Sequence, residues 1–147
     1  MDGYNFIGVG KIILDSFADK EYNIPHLHCL INKADDGYEF INLEFGLVTF
    51  DENPEEAASA LAKMLIEYVQ RTIKDLGFKT LIDVVSQKSL EQYWAEYRRL
   101  EFTFAETKKD IGHHVIERIK QEAVEEFKRQ YGIKTSVKFS FVEEQAA

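Results

Sequence analysis

The sequence predicts an α+β fold in which an antiparallel sheet, a β-hairpin plus an N-terminal strand, is covered by an amphipathic helix. Three observations predict it. Apolar and polar residues alternate through much of residues 4–50, a strongly marked helix start follows at 53–56, and apolar residues then recur at helical spacing. A chain of 147 residues with 45% hydrophobic content can bury one core, so we expect a single domain over residues 1–147.

The first predicted strand covers residues 4–14, which are rich in aromatic and β-branched side chains. Gly8 and Gly10 predict a bulge or a close approach of another backbone within this strand. They also belong to a Gly-x-Gly-Lys sequence, but neither the third glycine of a dinucleotide-binding motif nor a Walker motif follows. The polar segment 15–25 predicts a loop.

Two further strands form the predicted hairpin. Residues 27–32 alternate in the manner of a half-buried strand, and residues 38–50 alternate until Gly46, where we expect a bulge. Asp36-Gly37 lies between the two runs and has turn-forming chemistry.

The most clearly marked helix begins after Asn53, an N-cap residue followed by Pro54 at the first helical position and two glutamates. Gly77 predicts its end. Its apolar stripe consists of Ala58, Leu61, Ala62, Leu65, Val69, Ile73 and Leu76. A short strand is predicted for residues 78–85.

The second half predicts more helix. A capping-box pattern at 89–92 opens a helix whose aromatic stripe we interpret as facing the core rather than stacking on bases. That stripe comprises Leu90, Tyr93, Trp94, Tyr97 and Phe104. A further amphipathic helix is predicted for residues 110–131.

The last ordered element is predicted to be a strand over residues 133–141, with one apolar and one polar face. Its apolar residues Val137, Phe139 and Phe141 are candidate interface residues. An apolar terminal strand can add to an exposed sheet edge of its own chain or of another, so a homodimer is one expectation.

Charge is distributed unevenly along the chain. The protein has 26 acidic and 18 basic side chains, a net charge of −8. Residues 1–60 contain twelve acidic and three basic side chains, so they account for the whole excess. This balance favours a basic partner over nucleic acid or an anionic membrane. No run of apolar residues has membrane-spanning length, and Cys29 is the one cysteine, which excludes an intrachain disulfide. We therefore expect a cytoplasmic protein.

Three short motifs occur in order within residues 26–76: Asp36-Gly37-Tyr38 at a turn, Gly46-Leu47-Val48-Thr49 after a strand, and Pro54-Glu55-Glu56-Ala57 opening a helix. Together they resemble the HicB-like antitoxin family. The resemblance implies a β-β-β-α core over residues 1–77, with residues 78–147 as an α-helical extension ending in a strand. It also implies noncatalytic binding of a small basic protein, since such antitoxins typically neutralise a small basic ribonuclease toxin.

The chain also departs from the family pattern. Phe45-Gly46 stands where the family usually has Pro-Gly. Family members often carry a DNA-binding ribbon-helix-helix or helix-turn-helix, but here the terminal strand follows the helices and the 110–131 segment has mixed charges rather than a basic face. The C-terminal half therefore does not support DNA binding.

Four histidines raise the question of a metal site. His26 and His28 are two residues apart on a predicted strand and would share a face, and His113-His114 could add ligands. This is an incomplete ligand set. The alternative function it supports is a small metal-dependent hydrolase using His26 and His28.

Cys29 is expected to be a buried core thiol rather than a nucleophile, because its neighbour His28 points to the opposite strand face. We thus expect no catalytic residue and no cofactor. The leading hypothesis is a noncatalytic protein-interaction module of HicB-like type that binds a small basic protein. A stand-alone HicB-like protein with an unrelated binding role is a further alternative.

Overall fold

The computed structural model describes residues 3–14, 16–17, 20–21, 26–86, 90–107 and 135–141. The predicted helix at 110–131, with His113 and His114, lies outside the described residues, as does Ser89 of the predicted capping box. The described elements are β1 (Phe6–Leu14), β2 (Ser16–Phe17), β3 (Lys20–Glu21), β4 (Leu27–Ala34), β5 (Gly37–Asn42), β6 (Val48–Asp51), α1 (Pro54–Leu76), α2 (Phe78–Ser86), α3 (Glu91–Thr107) and β7 (Thr135–Phe141).

Five of these strands form one antiparallel sheet in the order β6-β5-β4-β1-β7, while β2 and β3 pair separately. A register shift in β1 between Phe6 and Gly8 marks a bulge next to the glycines that predicted one. The α+β class is confirmed, with strands β1 and β7 from opposite ends of the described chain side by side.

Helices cover both faces of the sheet, whereas the sequence predicted cover on one. Leu27, Cys29 and Ile31 of β4 pack with α1 in one buried cluster. Leu30, on the opposite face, packs with Tyr97 of α3 in a second cluster and is fully buried. The predicted alternation of side chains between the two faces of β4 is therefore confirmed. Both faces are buried, however, because α3 packs against β1 and β4.

Helix α1 follows the prediction closely. The Asn53 side chain accepts a hydrogen bond from the Glu55 backbone N–H at 2.8 Å, and Pro54 occupies the first turn. Gly77, at φ 92°, ends the helix and donates its N–H to the carbonyls of Thr72 and Ile73. The buried side chains of α1 are Ala57, Ala58, Leu61, Ala62, Leu65, Ile66 and Val69. Leu76, the last residue of the predicted apolar stripe, is instead 66% exposed.

Residues 38–50 form two strands, not the single bulged strand that was predicted. The chain reverses between β5 and β6, and the Asn42 N–H donates to the Leu47 carbonyl at 2.7 Å. The Asn42 side chain accepts from the Phe45 N–H at 2.8 Å, and Gly46 takes φ 73°. An Asn side chain that bonds its own backbone, followed by a left-handed glycine, favours a turn over a bulge.

Residues 78–85 were predicted as a strand and are helical instead, within α2. Phe78, Leu81 and Val85 recur at three- and four-residue steps, and all three pack against the α1 cluster. The β-branched content of this segment suggested a strand, but burial against α1 favours the helical period.

The terminal strand is confirmed over Thr135–Phe141 as β7. It pairs with β1 of the same chain, with Val137 opposite Ile12, Phe139 opposite Gly10 and Phe141 opposite Gly8. This pairing places all three interface candidates along the β1 edge of their own sheet.

Position 37 requires glycine because β6 approaches its backbone closely. A Cβ built on Gly37 would lie 2.6 Å from the Asp51 carbonyl oxygen and 2.7 Å from Phe50 Cζ. We expect Gly37→Ala to lower the free energy of unfolding by about 1–3 kcal/mol, measured by urea denaturation. The same substitution in a Phe50→Ala background should still destabilise, because the backbone carbonyl remains. An unchanged midpoint in both backgrounds would contradict this packing.

Candidate functional site

A cleft of about 610 Å³ opens where α3 packs against β1 and β4. Its lining includes Lys11, His28, Trp94, Tyr97, Arg98 and Glu101. The cleft has the size of a small-molecule site and combines aromatic walls with a few polar groups.

His28 is held at the cleft by a buried carboxylate. Its Nδ1 lies 2.7 Å from Oε2 of Glu44, whose side chain is only 3% exposed, against 22% for His28. Because a carboxylate accepts hydrogen bonds, this contact places the proton of the neutral ring on Nδ1, and Nε2 then has no hydrogen-bond partner among the described residues. The ring edge that carries Nε2 points away from Glu44.

The turn after β5 brings Glu44 to this position. The Leu43 N–H and the Asn42 side-chain amide both donate to the His28 carbonyl, at 2.9 and 3.0 Å. Oε1 of Glu44 accepts from the His28 N–H at 2.6 Å and from Nδ2 of Asn42 at 3.0 Å. A fully buried amide thus fixes the turn, and the turn fixes the carboxylate.

Aromatic rings fix the imidazole from the other side. The His28 ring centroid lies 5.1 Å from those of both Trp94 and Tyr97, in edge-to-face arrangements. With one nitrogen bonded to Glu44 and two rings in contact, the ring of His28 has a single well-defined orientation.

The Tyr97 hydroxyl has no hydrogen-bond partner among the described residues, although the side chain is 3% exposed. Burial raises the pKa of Tyr97 far above 10.0, and the neighbouring Glu101 charge raises it further. The same carboxylate also raises that pKa as a nearby hydrogen-bond acceptor, but its contact with the hydroxyl falls short of hydrogen-bond geometry. A buried hydroxyl without a partner is uncommon and leaves a donor unused beside the cleft.

The charged side chains at the cleft differ in their pairing. Lys11 Nζ lies 3.3 Å from Oε2 of Glu101, and both side chains are substantially exposed, so this pair adds little stability. Arg98 is exposed and forms no ion pair with the described residues, whereas the adjacent Arg99 binds Glu96 at 2.8 Å. Arg98 therefore offers an unpaired guanidinium.

The predicted histidine pair gains no third metal ligand among the described residues. His26 precedes β4 and is exposed, while His28 is bonded to Glu44. Within the described ranges, no three His, Cys, Asp or Glu side chains converge.

Two predictions about individual side chains are confirmed. Cys29 is a buried thiol on the α1 face, where desolvation, and then the charge of Glu44, raises its pKa. Tyr97 of the predicted aromatic stripe lies in the core, and Tyr93 and Trp94 pack against it. The sequence did not indicate that Trp94 and Tyr97 also line a cleft.

Glu44 and Asn42 are the site residues that the sequence reasoning missed. The prediction of one continuous strand over residues 38–50 placed both side chains on the same face of that strand. The available signal was the sequence Asn42-Leu43-Glu44-Phe45-Gly46, in which an Asn and a Gly four residues apart favour a chain reversal.

A second surface lies at the opposite end of the sheet, where β6 has no further strand beside it in the described sheet. Val48 and Phe50 are 45% and 49% exposed. Thr49, between them, points the other way and donates its hydroxyl to the Ala57 carbonyl at 2.7 Å. One face of β6 is thus hydrogen-bonded to α1, while the face that carries Val48 and Phe50 and the outer edge of the strand are accessible.

The chain matches no family model, no curated protein and no solved structure. No helix within the described part of the chain has the length and apolar character needed to cross a membrane.

Glu44→Ala removes the acceptor of the His28 and Asn42 donors in a buried position. We expect it to lower the free energy of unfolding by about 1–3 kcal/mol in urea denaturation. Glu39→Ala is the matched control, because Glu39 is less buried and accepts only a 3.4 Å hydrogen bond from Asn32; its effect should stay within about 0.5 kcal/mol. Equal effects of both substitutions would contradict the role assigned to Glu44.

The raised pKa values of Cys29 and Tyr97 predict weakening of the fold at alkaline pH. In the unfolded chain these groups ionise near their ordinary values of 9.0 and 10.0, while the folded chain retains the protons to higher pH. The free energy of unfolding therefore falls as the pH rises above about 9 and on toward the folded pKa values. Denaturation series at successive pH values should show a shallower decline for the Cys29→Ala/Tyr97→Phe double variant; an unchanged slope would contradict the assignment.

Proposed function

We propose that this protein is a noncatalytic protein-interaction module of HicB-like type that binds a small basic protein along the free edge of β6. The observation that carries the proposal is the pair of exposed apolar side chains, Val48 and Phe50, on a strand whose outer edge has no neighbour in the described sheet. Exposed apolar residues on an open edge are typical of strand-addition sites.

Charge around this edge supports a basic partner. Asp35 and Asp36 form the exposed β4–β5 turn. Gly37, directly after that turn, lies against the Asp51 carbonyl at the end of β6, and exposed Glu52 follows. The carboxylates of both segments therefore gather at one end of the edge strand. Lysine or arginine residues flanking a partner strand would be attracted to them, which raises the association rate and fixes the direction of docking.

The geometry of β6 sets the form of the partner segment. Val48 and Phe50 lie on one face, so an added strand would place alternate apolar residues beside them. The edge is only four residues long, Val48–Asp51, so backbone pairing alone is limited and the acidic turn must contribute specificity. The fitting segment is a short extended stretch with alternating apolar residues and basic flanks.

The resemblance of residues 26–76 to HicB-like antitoxins supports the same class of partner, because those proteins typically bind small basic toxins. The hydrolase alternative is favoured by no observation, since His26 and His28 lack a third ligand among the described side chains. If the chain is instead a stand-alone HicB-like protein without a toxin, affinity purification will recover no basic partner.

The test is coexpression with the product of the adjacent reading frame, followed by affinity purification. The wild-type chain should retain the partner, and the double substitution Val48→Lys/Phe50→Lys should lose it, because added positive charge on the edge repels a basic strand. Both positions are exposed, so the variant's free energy of unfolding should change little.

Phe102→Lys is the control, because Phe102 is 64% exposed on α3 and lies outside this edge. It should bind the partner as the wild type does. Retention by the edge variant would remove β6 as the site, and absence of any basic partner would overturn the proposal. Light scattering of the purified chain adds a third outcome: a dimer that the edge substitutions disrupt would mean that β6 pairs with a second copy instead.

A further inference from the structure

Three groups at the cleft beneath α3 have unused binding capacity. His28 Nε2 is the free nitrogen of a ring fixed by Glu44, the buried Tyr97 hydroxyl has no partner among the described residues, and Arg98 has no ion-pair partner there. All three residues line the same cleft, together with Trp94. Such a set is more than packing requires, since neither the α3 interface nor the β6 edge uses these groups.

We propose that this cleft binds a small aromatic hydroxy acid, a planar ring that carries one hydroxyl and one carboxylate. This site is independent of the β6 edge. Trp94 supplies an apolar ring surface against which a planar body packs favourably, and the buried Tyr97 ring, which also lines the cleft, lies against it. The cleft volume of about 610 Å³ accommodates a ligand of this size.

The polar groups determine which substituents fit. In its neutral form with the proton on Nδ1, His28 presents Nε2 as an acceptor, and Tyr97 presents an O–H donor. A ligand hydroxyl matches both, because it donates one hydrogen bond and accepts others. An ammonium group, which only donates, or an ether, which only accepts, would satisfy only one of the two.

Arg98 is the residue that binds the carboxylate of the ligand. Its planar guanidinium binds carboxylates through two parallel hydrogen bonds, and it is not already engaged by the described acidic residues. Lys11 is less suited to this role, because Glu101 lies 3.3 Å from its ammonium group. The anionic end of the ligand is therefore assigned to Arg98.

Ligand binding can be measured by the fluorescence of Trp94, since it is the chain's one tryptophan and lines the cleft. The probe is 4-hydroxybenzoate, titrated against the full chain with tryptophan fluorescence and checked by calorimetry. Benzoate lacks the hydroxyl and phenol lacks the carboxylate, so each should bind several-fold more weakly. A saturable one-to-one signal with that ranking is the expected result.

Substitutions test the residue assignments. Arg98→Ala should weaken 4-hydroxybenzoate binding by roughly tenfold or more, because a charge-assisted hydrogen bond is lost. Arg99→Ala is the matched control and should leave affinity within about twofold, since Arg99 is paired with Glu96 and does not line the cleft.

Tyr97→Phe separates binding from folding. It removes a buried hydroxyl that has no described partner, so the free protein should melt at the same temperature or higher, while affinity for 4-hydroxybenzoate falls several-fold. A large loss of thermal stability would mean that the hydroxyl already has a structural partner, and would overturn the proposal. Absence of saturable binding at millimolar probe, equal binding of all three compounds, or an equal effect of the two arginine substitutions would also overturn it.

Discussion

The buried carboxylate of Glu44 accepts three hydrogen bonds, from the His28 backbone, the His28 ring and the Asn42 amide. These contacts close the chain reversal after β5, so they also determine where β6 can return along the sheet. The same contacts fix the imidazole that borders the cleft. One acidic side chain therefore links the position of the edge strand to the geometry of the pocket, and its removal affects both.

Local sequence signals predicted the elements that local chemistry decides. Asn53, Pro54 and Gly77 act within one turn of their own positions, and α1 begins and ends as they indicate. The segment 78–85 was misjudged because its β-branched residues have strand propensity, while the buried position of Leu81 against α1 favours a helix. Propensity decides a short segment only when tertiary packing does not.

The candidate site was only partly visible in the sequence for a related reason. His28 attracted attention because histidine is a common metal ligand, but its partner Glu44 lies sixteen residues away, across a reversal that strand periodicity did not reveal. Tyr93, Trp94 and Tyr97 of the aromatic stripe were correctly expected to face the core, whereas Leu90 is 38% exposed. Trp94 and Tyr97 contact His28 because α3 covers the second face of the sheet. No local sequence motif indicates that packing.

The pairing of β7 with β1 has a consequence for how the protein is made. Strand β1 leaves the ribosome well before its outer neighbour, residues 135–141, is synthesised. Until then β1 presents one unpaired edge, so completion of the sheet requires contacts between distant parts of the chain and is intrinsically slow. Nascent chains are therefore exposed to edge-to-edge association during this interval, and a chaperone that shields strand edges would raise the yield of folded protein.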